Sequence, residues 1–237
     1  MHGAVALVNL AADQNGVFPG GLLRAFLGDA FNILYAVTYF DGVTVLTRNE
    51  LFGMIANLSA MIKVKKVPIV HVAFGTPVQV NPEVALLVSA FAEFLRQSDT
   101  LLVVAGPHSS ASLGPGMEYF PYFTNQSAIV TKPEYLNHIL TVAGFESVPD
   151  DQCSRQFWQN NVTPLAWQAD LVAPATGHLV QLRPENQAVE EHEFAGTSFA
   201  IQYVVAAAAL LKSVAPSLTA SEIKHYLTQD VLAVYTA

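Results

Sequence analysis

Two short apolar runs, "VPIVHVAFG" and "TLLVVAGP", flank the stretch "NPEVALLVSAFAEFLRQ", and this strand–helix–strand pattern constrains the fold more than any other feature of the chain. Apolar, β-branched runs of this length that lack polar alternation read as strands buried on both faces. Between them Pro82–Arg96 carries apolar residues at helical spacing, with Asn81 as a cap and a proline in the first helical position. Further strands are predicted at Asn32–Tyr39, Ser127–Thr131 and Ile139–Ala143, in addition to Pro68–Phe74 and Thr100–Ala105. Glu50–Ile62 and Ser217–Leu227 read as helices, the second opened by Thr219 and Glu222 at capping-box spacing. Short buried strands separated by helices predict an α/β chain with a mostly parallel sheet covered on both faces. In such folds, sites form at the carboxyl ends of strands.

Composition narrows the function classes. With 237 residues, 52% hydrophobic and 13% charged, the chain suits one large core, so residues 1–237 are expected to form a single domain. A net charge of -8 and 11 Lys plus Arg argue against a nucleic-acid partner, which needs clustered cations. The basic cluster Lys63–Lys66 reads as a solvated helix end. Cys153 stands alone, so no internal disulfide forms. No secretory leader pattern opens the sequence, which leaves the compartment undefined. The apolar run Tyr203–Leu211 begins after Gln202 and falls short of the roughly 20 residues a bilayer requires, so a buried helix and no membrane partner are expected. Oligomeric state is not set by any of these features.

The loops after the strands carry the informative residues. Turns are expected at Gly75-Thr76-Pro77, at Gly106 leading into Pro107 and His108, and at Gly144. Strands that end in small residues let backbone approach a ligand closely, although glycine also serves plain turning. Further on, "EFAGTSFAIQYVVAAAALL" sends Gly196-Thr197-Ser198 into an apolar helix. A hydroxyl there has two uses. Thr197 or Ser198 can cap the helix. Alternatively, Ser198 is a nucleophile whose oxyanion is stabilised by the N-terminal N–H groups. His71 reads as a strand residue, and His138, His178 and His192 lack metal-site spacing. No Gly-x-Ser-x-Gly elbow surrounds Ser198, and His225 sits in a capped helix, which argues against an α/β-hydrolase.

Taken in order, these segments resemble the subtilisin-like serine proteases. "GTSFAIQYVVAAAALLKSVAPSLTASEIKHYL" is similar to that family's serine region, with its buried Ala-rich helix, proline and closing helix. "HGAVALVNLAADQNGV" resembles its histidine motif, "ILYAVTYFDG" a following strand, and "VPIVHVAFG" the strand and glycine that line its substrate cleft. "DTLLVVAGP" stands where the family has Ala-Gly-Asn, "FPYFTNQSAIVTKPEYLNHILTVAGF" resembles its Tyr-Pro and Val-Gly-Ala region, and "ADLVAPATG" its Asp-x-x-Ala-Pro-Gly segment. The resemblance implies a three-layer αβα fold and peptide-bond hydrolysis with Ser198 as nucleophile and His2 as general base. It also implies that Ala73, Phe74 and Gly75 pair with a peptide or protein substrate as an added strand. No cofactor is implied, and no acidic run marks the calcium sites common in the family.

The sequence departs from the family pattern at identifiable positions. The family's aspartate precedes its histidine, and here Met1 alone precedes His2, so the resemblance implies a chain without that aspartate and its strand. Asp13, Asp29 and Asp41 follow His2 and do not fit the aspartate motif. Pro107 occupies the place of the oxyanion asparagine, and proline lacks even a backbone N–H. His108 is its neighbour and an alternative donor. Gln202-Tyr203 replaces Pro-His, Ala4 the threonine after His-Gly, Leu7 and Val8 small residues, and Ala175 the glycine after Ala-Pro. Two expectations follow: a serine endopeptidase, or a catalytically inert relative that keeps the fold for peptide binding or structure.

Overall fold

The computed structural model describes residues 46–73, 75–106, 115–125, 127–130, 132–148, 151–158, 168–176, 178–182 and 190–229. The expected strand Asn32–Tyr39, together with His2, Phe74, Pro107 and His108, lies outside the described residues. In chain order the elements are α1 (Arg48–Lys65), β1 (Ile69–Val72), β2 (Thr76–Gln79), α2 (Pro82–Gln97), β3 (Leu101–Ala105) and β4 (Met117–Phe120). After a 3-10 turn at Pro133–His138 come β5 (Ile139–Val148), β6 (Asp151–Phe157), β7 (Leu171–Pro174), β8 (His178–Leu182), β9 (Glu190–Phe194), α3 (Thr197–Val214) and α4 (Ala220–Gln229).

The helix ends follow local chemistry. Thr47 and Glu50 form a capping box on α1, and Lys66 closes the helix in the left-handed region with φ 52, which places the basic cluster at the dipole's negative end. The Asn81 side chain accepts from Val84 N at 3.0 Å, with Pro82 in the first helical position as the sequence predicts. Thr219 and Glu222 likewise close a reciprocal box at the start of α4.

The main sheet runs β1-β3-β5-β6, with β7 also paired to β5. The β1–β3, β3–β5 and β5–β7 pairs are parallel, and β5–β6 is antiparallel. Every residue of β3 is buried, and its side chains alternate between two cores. Leu102 and Val104 join a core containing Leu51, Ile62, Val88, Phe91 and Leu95 of α1 and α2. Leu101, Val103 and Ala105 join one containing Ile201, Val205, Ala208 and Ile223 of α3 and α4. Helices therefore cover both faces of a mostly parallel sheet, and removing this apolar area from water, at about 25 cal/mol per Å2, is the main force holding the layers together.

Several local expectations need correction. Of the expected strand Ser127–Thr131, the described residues 127–130 are not a strand: residues 128 and 129 form a turn, stabilised where the Ser127 hydroxyl accepts from Thr124 N, and Thr131 lies outside the described residues. The chain does not turn at Gly144, because ladder pairing of Gly144 with Ala173 keeps β5 extended to Val148. Thr76-Pro77 is likewise extended. It lies in β2, which pairs antiparallel with β4, and Pro77 is tolerated in this two-stranded ribbon. The apolar helix begins six residues before Tyr203, and Gln202 lies wholly buried inside it. At 18 residues α3 is long and apolar enough to cross a membrane, yet 56% of it is buried in the protein, as suits a core helix.

Candidate active site

The site is assembled where α3 meets the carboxyl ends of three strands. Ala175, just beyond β7, donates its N–H to Phe145 O at 2.8 Å and accepts from Gly196 N at 2.7 Å, which fixes the entry to the helix. Gly196 then takes φ 149, a conformation that L side chains rarely adopt, so the glycine of the Gly-Thr-Ser motif is required by the backbone. Its carbonyl accepts from Phe199 N and Ala200 N at 3.0 and 3.2 Å, closing the first turn.

The two hydroxyls that follow reach across the sheet. Thr197 Oγ1 donates to Gly106 O, at the end of β3, and Ser198 Oγ donates to Ala73 O, at the end of β1, at 3.0 Å. Both residues are buried. The expectation that either hydroxyl caps the helix is therefore corrected: the N-cap is Gly196, which makes no side-chain cap bond, and the hydroxyls satisfy strand-end carbonyls that have run out of ladder partners. Sequence patterning did not reveal this task for Thr197.

Gly106 sits at the centre of the junction. Its N–H donates to Val142 O at 2.7 Å, and a Cβ placed on it would lie 3.0 Å from that oxygen and 3.3 Å from Tyr122 Cε2. The close approach of β5 and Tyr122, rather than a positive φ, favours glycine here. Burial pushes the Tyr122 phenol well above the usual tyrosine range, so it stays protonated.

Of the expected site residues, Ser198, Ala73 and Gly75 fall within the described chain, and the structure joins Ser198 to Ala73. Gly75 follows between β1 and β2, half-buried at the same strand end. One turn into α3, the Gln202 amide donates to Ser198 O at 3.2 Å, a contact that spacing did not predict. Among the described residues no group of His, Cys, Asp and Glu is arranged to hold a metal ion.

The chemistry available is that of a hydroxyl in the first turn of a helix, beside an extended backbone segment at a strand end. Anionic character near such a helix start is favoured by the dipole.

No curated protein sequence matches the chain significantly. Solved structures share its fold at low identity. The prenylagaramide maturation protease PagA superposes with a TM-score of 0.52 at 18% identity, over 80% of this chain and 59% of that one. A structure of the subtilase cytotoxin SubAB gives 0.52 at 18% identity, over 77% and 57%. The chain thus spans under two thirds of the length of either. The sequence profile of the subtilase family matches residues 39–234, a span that contains Ser198, Ala73 and Gly75 and excludes His2. The chain belongs to the subtilase family.

Proposed function

We propose that this chain is a serine-type peptidase domain in which Ser198 is the acylated residue. The observation that carries the reading is the position of Ser198: in the first turn of a buried helix, with its Oγ 3.0 Å from the carbonyl of Ala73 at the end of β1. Attack of Oγ on a peptide carbonyl would place the developing oxyanion near the helix start, where N–H groups and the dipole favour negative charge. The segment Ala73–Gly75 would present backbone to an extended substrate, with main-chain bonds giving affinity and neighbouring pockets selectivity. His2 would take the serine proton and return it to the leaving amine, in the role the family resemblance assigns to it.

Slow turnover is part of the proposal. With Pro107 in the asparagine's place, the side-chain oxyanion donor is missing, a loss worth on the order of a hundred- to a thousandfold in kcat in such sites. The same proline favours the second reading, an inert module that binds peptides without cleaving them. The two separate in an acylation experiment with a p-nitrophenyl ester. The peptidase reading expects a burst of p-nitrophenolate approaching the protein concentration, lost in Ser198→Ala. A burst of equal size in Ser198→Ala would overturn it, and peptide binding with no burst would leave the inert module.

A further inference from the structure

Among the described residues four buried side-chain atoms lack hydrogen-bond partners, and two of them, His71 Nε2 on β1 and Gln202 Oε1 on α3, stand on the two elements that the Ser198 contact joins. Such atoms are uncommon, since a buried group left unpaired forfeits the solvation it had in water. Their positions are related by the contact that anchors the serine. Ser198 Oγ bonds to Ala73 O, and from that point β1 and α3 run in opposite senses, the strand arriving at the site and the helix leaving it. Two residues back along β1, about 6.6 Å, stands His71. Four residues on along α3, about 6 Å, stands Gln202, on the helical face shared with Ser198.

The facing of the strand agrees. Ile69 packs into the core formed by Ile201, Val204 and Val205 of α3, and His71, two residues further on, points to the same side of the sheet. The pair is chemically complementary. Gln202 already commits its amide nitrogen to Ser198 O, which leaves its oxygen as an acceptor. A neutral imidazole protonated at Nε2 is a donor. Gln202 is fully buried, and burial holds the His71 pKa down at about 4, which keeps the ring neutral at ordinary pH.

We propose that His71 and Gln202 form a hydrogen-bonded rung across the β1–α3 seam, closed through one trapped water, and that Gln202 thereby acts as a positioning residue for Ser198. The chain of bonds runs from His71 Nε2–H to the water, from the water to Gln202 Oε1, and from Gln202 Nε2–H to the carbonyl of Ser198. It fixes the first turn of α3 against β1 independently of the Ser198 hydroxyl. Its purpose rests on Ser198 being the reactive residue, while its geometry does not.

Imidazole-detected 1H–15N NMR of the unmodified chain tests the rung without any requirement for activity. The expected spectrum shows His71 as the neutral Nε2–H tautomer with a slowly exchanging proton; an Nδ1–H tautomer or a freely exchanging Nε2–H would overturn the proposal. Amide hydrogen exchange then tests positioning. In Gln202→Leu, exchange at Phe199 and Ala200 should quicken at least tenfold, while the amides of α4 keep their rates. Unchanged protection at Phe199 and Ala200 would remove the positioning role. If the rung appears in these measurements and the ester burst is absent, the peptidase reading fails and the rung stands.

Discussion

At the carboxyl ends of β1, β3 and β7 the bonds among the described residues that join the chain to the start of α3 are neutral: Ser198 Oγ to Ala73 O, Thr197 Oγ1 to Gly106 O and Gly196 N to Ala175 O. At the amino ends of β3, β5 and β7 the fastening is charged. Lys224 Nζ lies 2.8 Å from Asp170 Oδ1 and also donates to Leu136 O and Ile139 O. Asp170 Oδ2 accepts from the N–H and hydroxyl of Thr141, and Asp99, at φ 50, accepts from Ala220 N at the start of α4. The difference is one of chemistry: neutral bonds among mostly buried residues at one end, a partly exposed ion pair at the other. A paired charge with its remaining valences filled rigidifies its surroundings. Small residues and glycines with single neutral bonds hold the buried start of α3 beside Ala73 and Gly75, which are partly exposed and whose backbone another chain could approach.

Substitutions that break one end while sparing the other sharpen this contrast. Lys224→Met should have the largest effect on stability, about 2–4 kcal/mol in urea unfolding, because it strands a half-buried carboxylate and two carbonyls; acylation at Ser198 should be unaffected. Gly106→Ala should cost about 1–3 kcal/mol, since its Cβ meets Val142 O and Tyr122, and in contrast to Lys224→Met it should also slow acylation by displacing the Thr197 acceptor.

One histidine stands at each end of the sheet, His71 partly and His138 more fully buried, so acid probes both. Burial lowers the pKa of His71 to about 4 and also lowers that of His138, where the charge of Asp99 partly offsets the effect. Below the ordinary value of 6.5 the unfolded chain binds protons that the native rings refuse, so stability is complete above pH 6.5 and declines as the pH falls towards 4. Each such ring contributes a slope of at most about 1.4 kcal/mol per pH unit. Chemical unfolding at stepped pH should show His71→Leu flattening the decline more than His138→Leu does. The smallest change is expected for Thr219→Ala, about 1 kcal/mol of unfolding free energy through the lost cap on α4, with no change in acylation.

The charged end was hardly legible in the sequence, and the neutral end was legible in part. Buried strands, the Asn81 and Thr219 caps and the mostly parallel sheet follow from periodicity and from residues adjacent in sequence, which is the range over which such signals act. Ser198 was marked by the order of family motifs, and Gly196 by its place between strand and helix. Lys224, Asp170 and Thr141 meet only through tertiary packing, across separations of 29 residues for Thr141 and Asp170 and 85 for Lys224 and Ile139, and nothing local announces their partnership. The same holds for Thr197, whose acceptor is 91 residues away and whose local pattern is that of a cap. Gly144 misled because a glycine after an apolar run normally ends a strand, whereas here pairing with β7 carries the strand on.

The central claim, that the neutral end presents Ser198 as a reactive residue, is tested most directly with a fluorophosphonate probe on the purified chain, read by intact mass and peptide mapping. The account predicts one adduct, mapped to Ser198 and missing from Ser198→Ala. An unmodified wild-type chain, or an adduct that persists in Ser198→Ala, would contradict it.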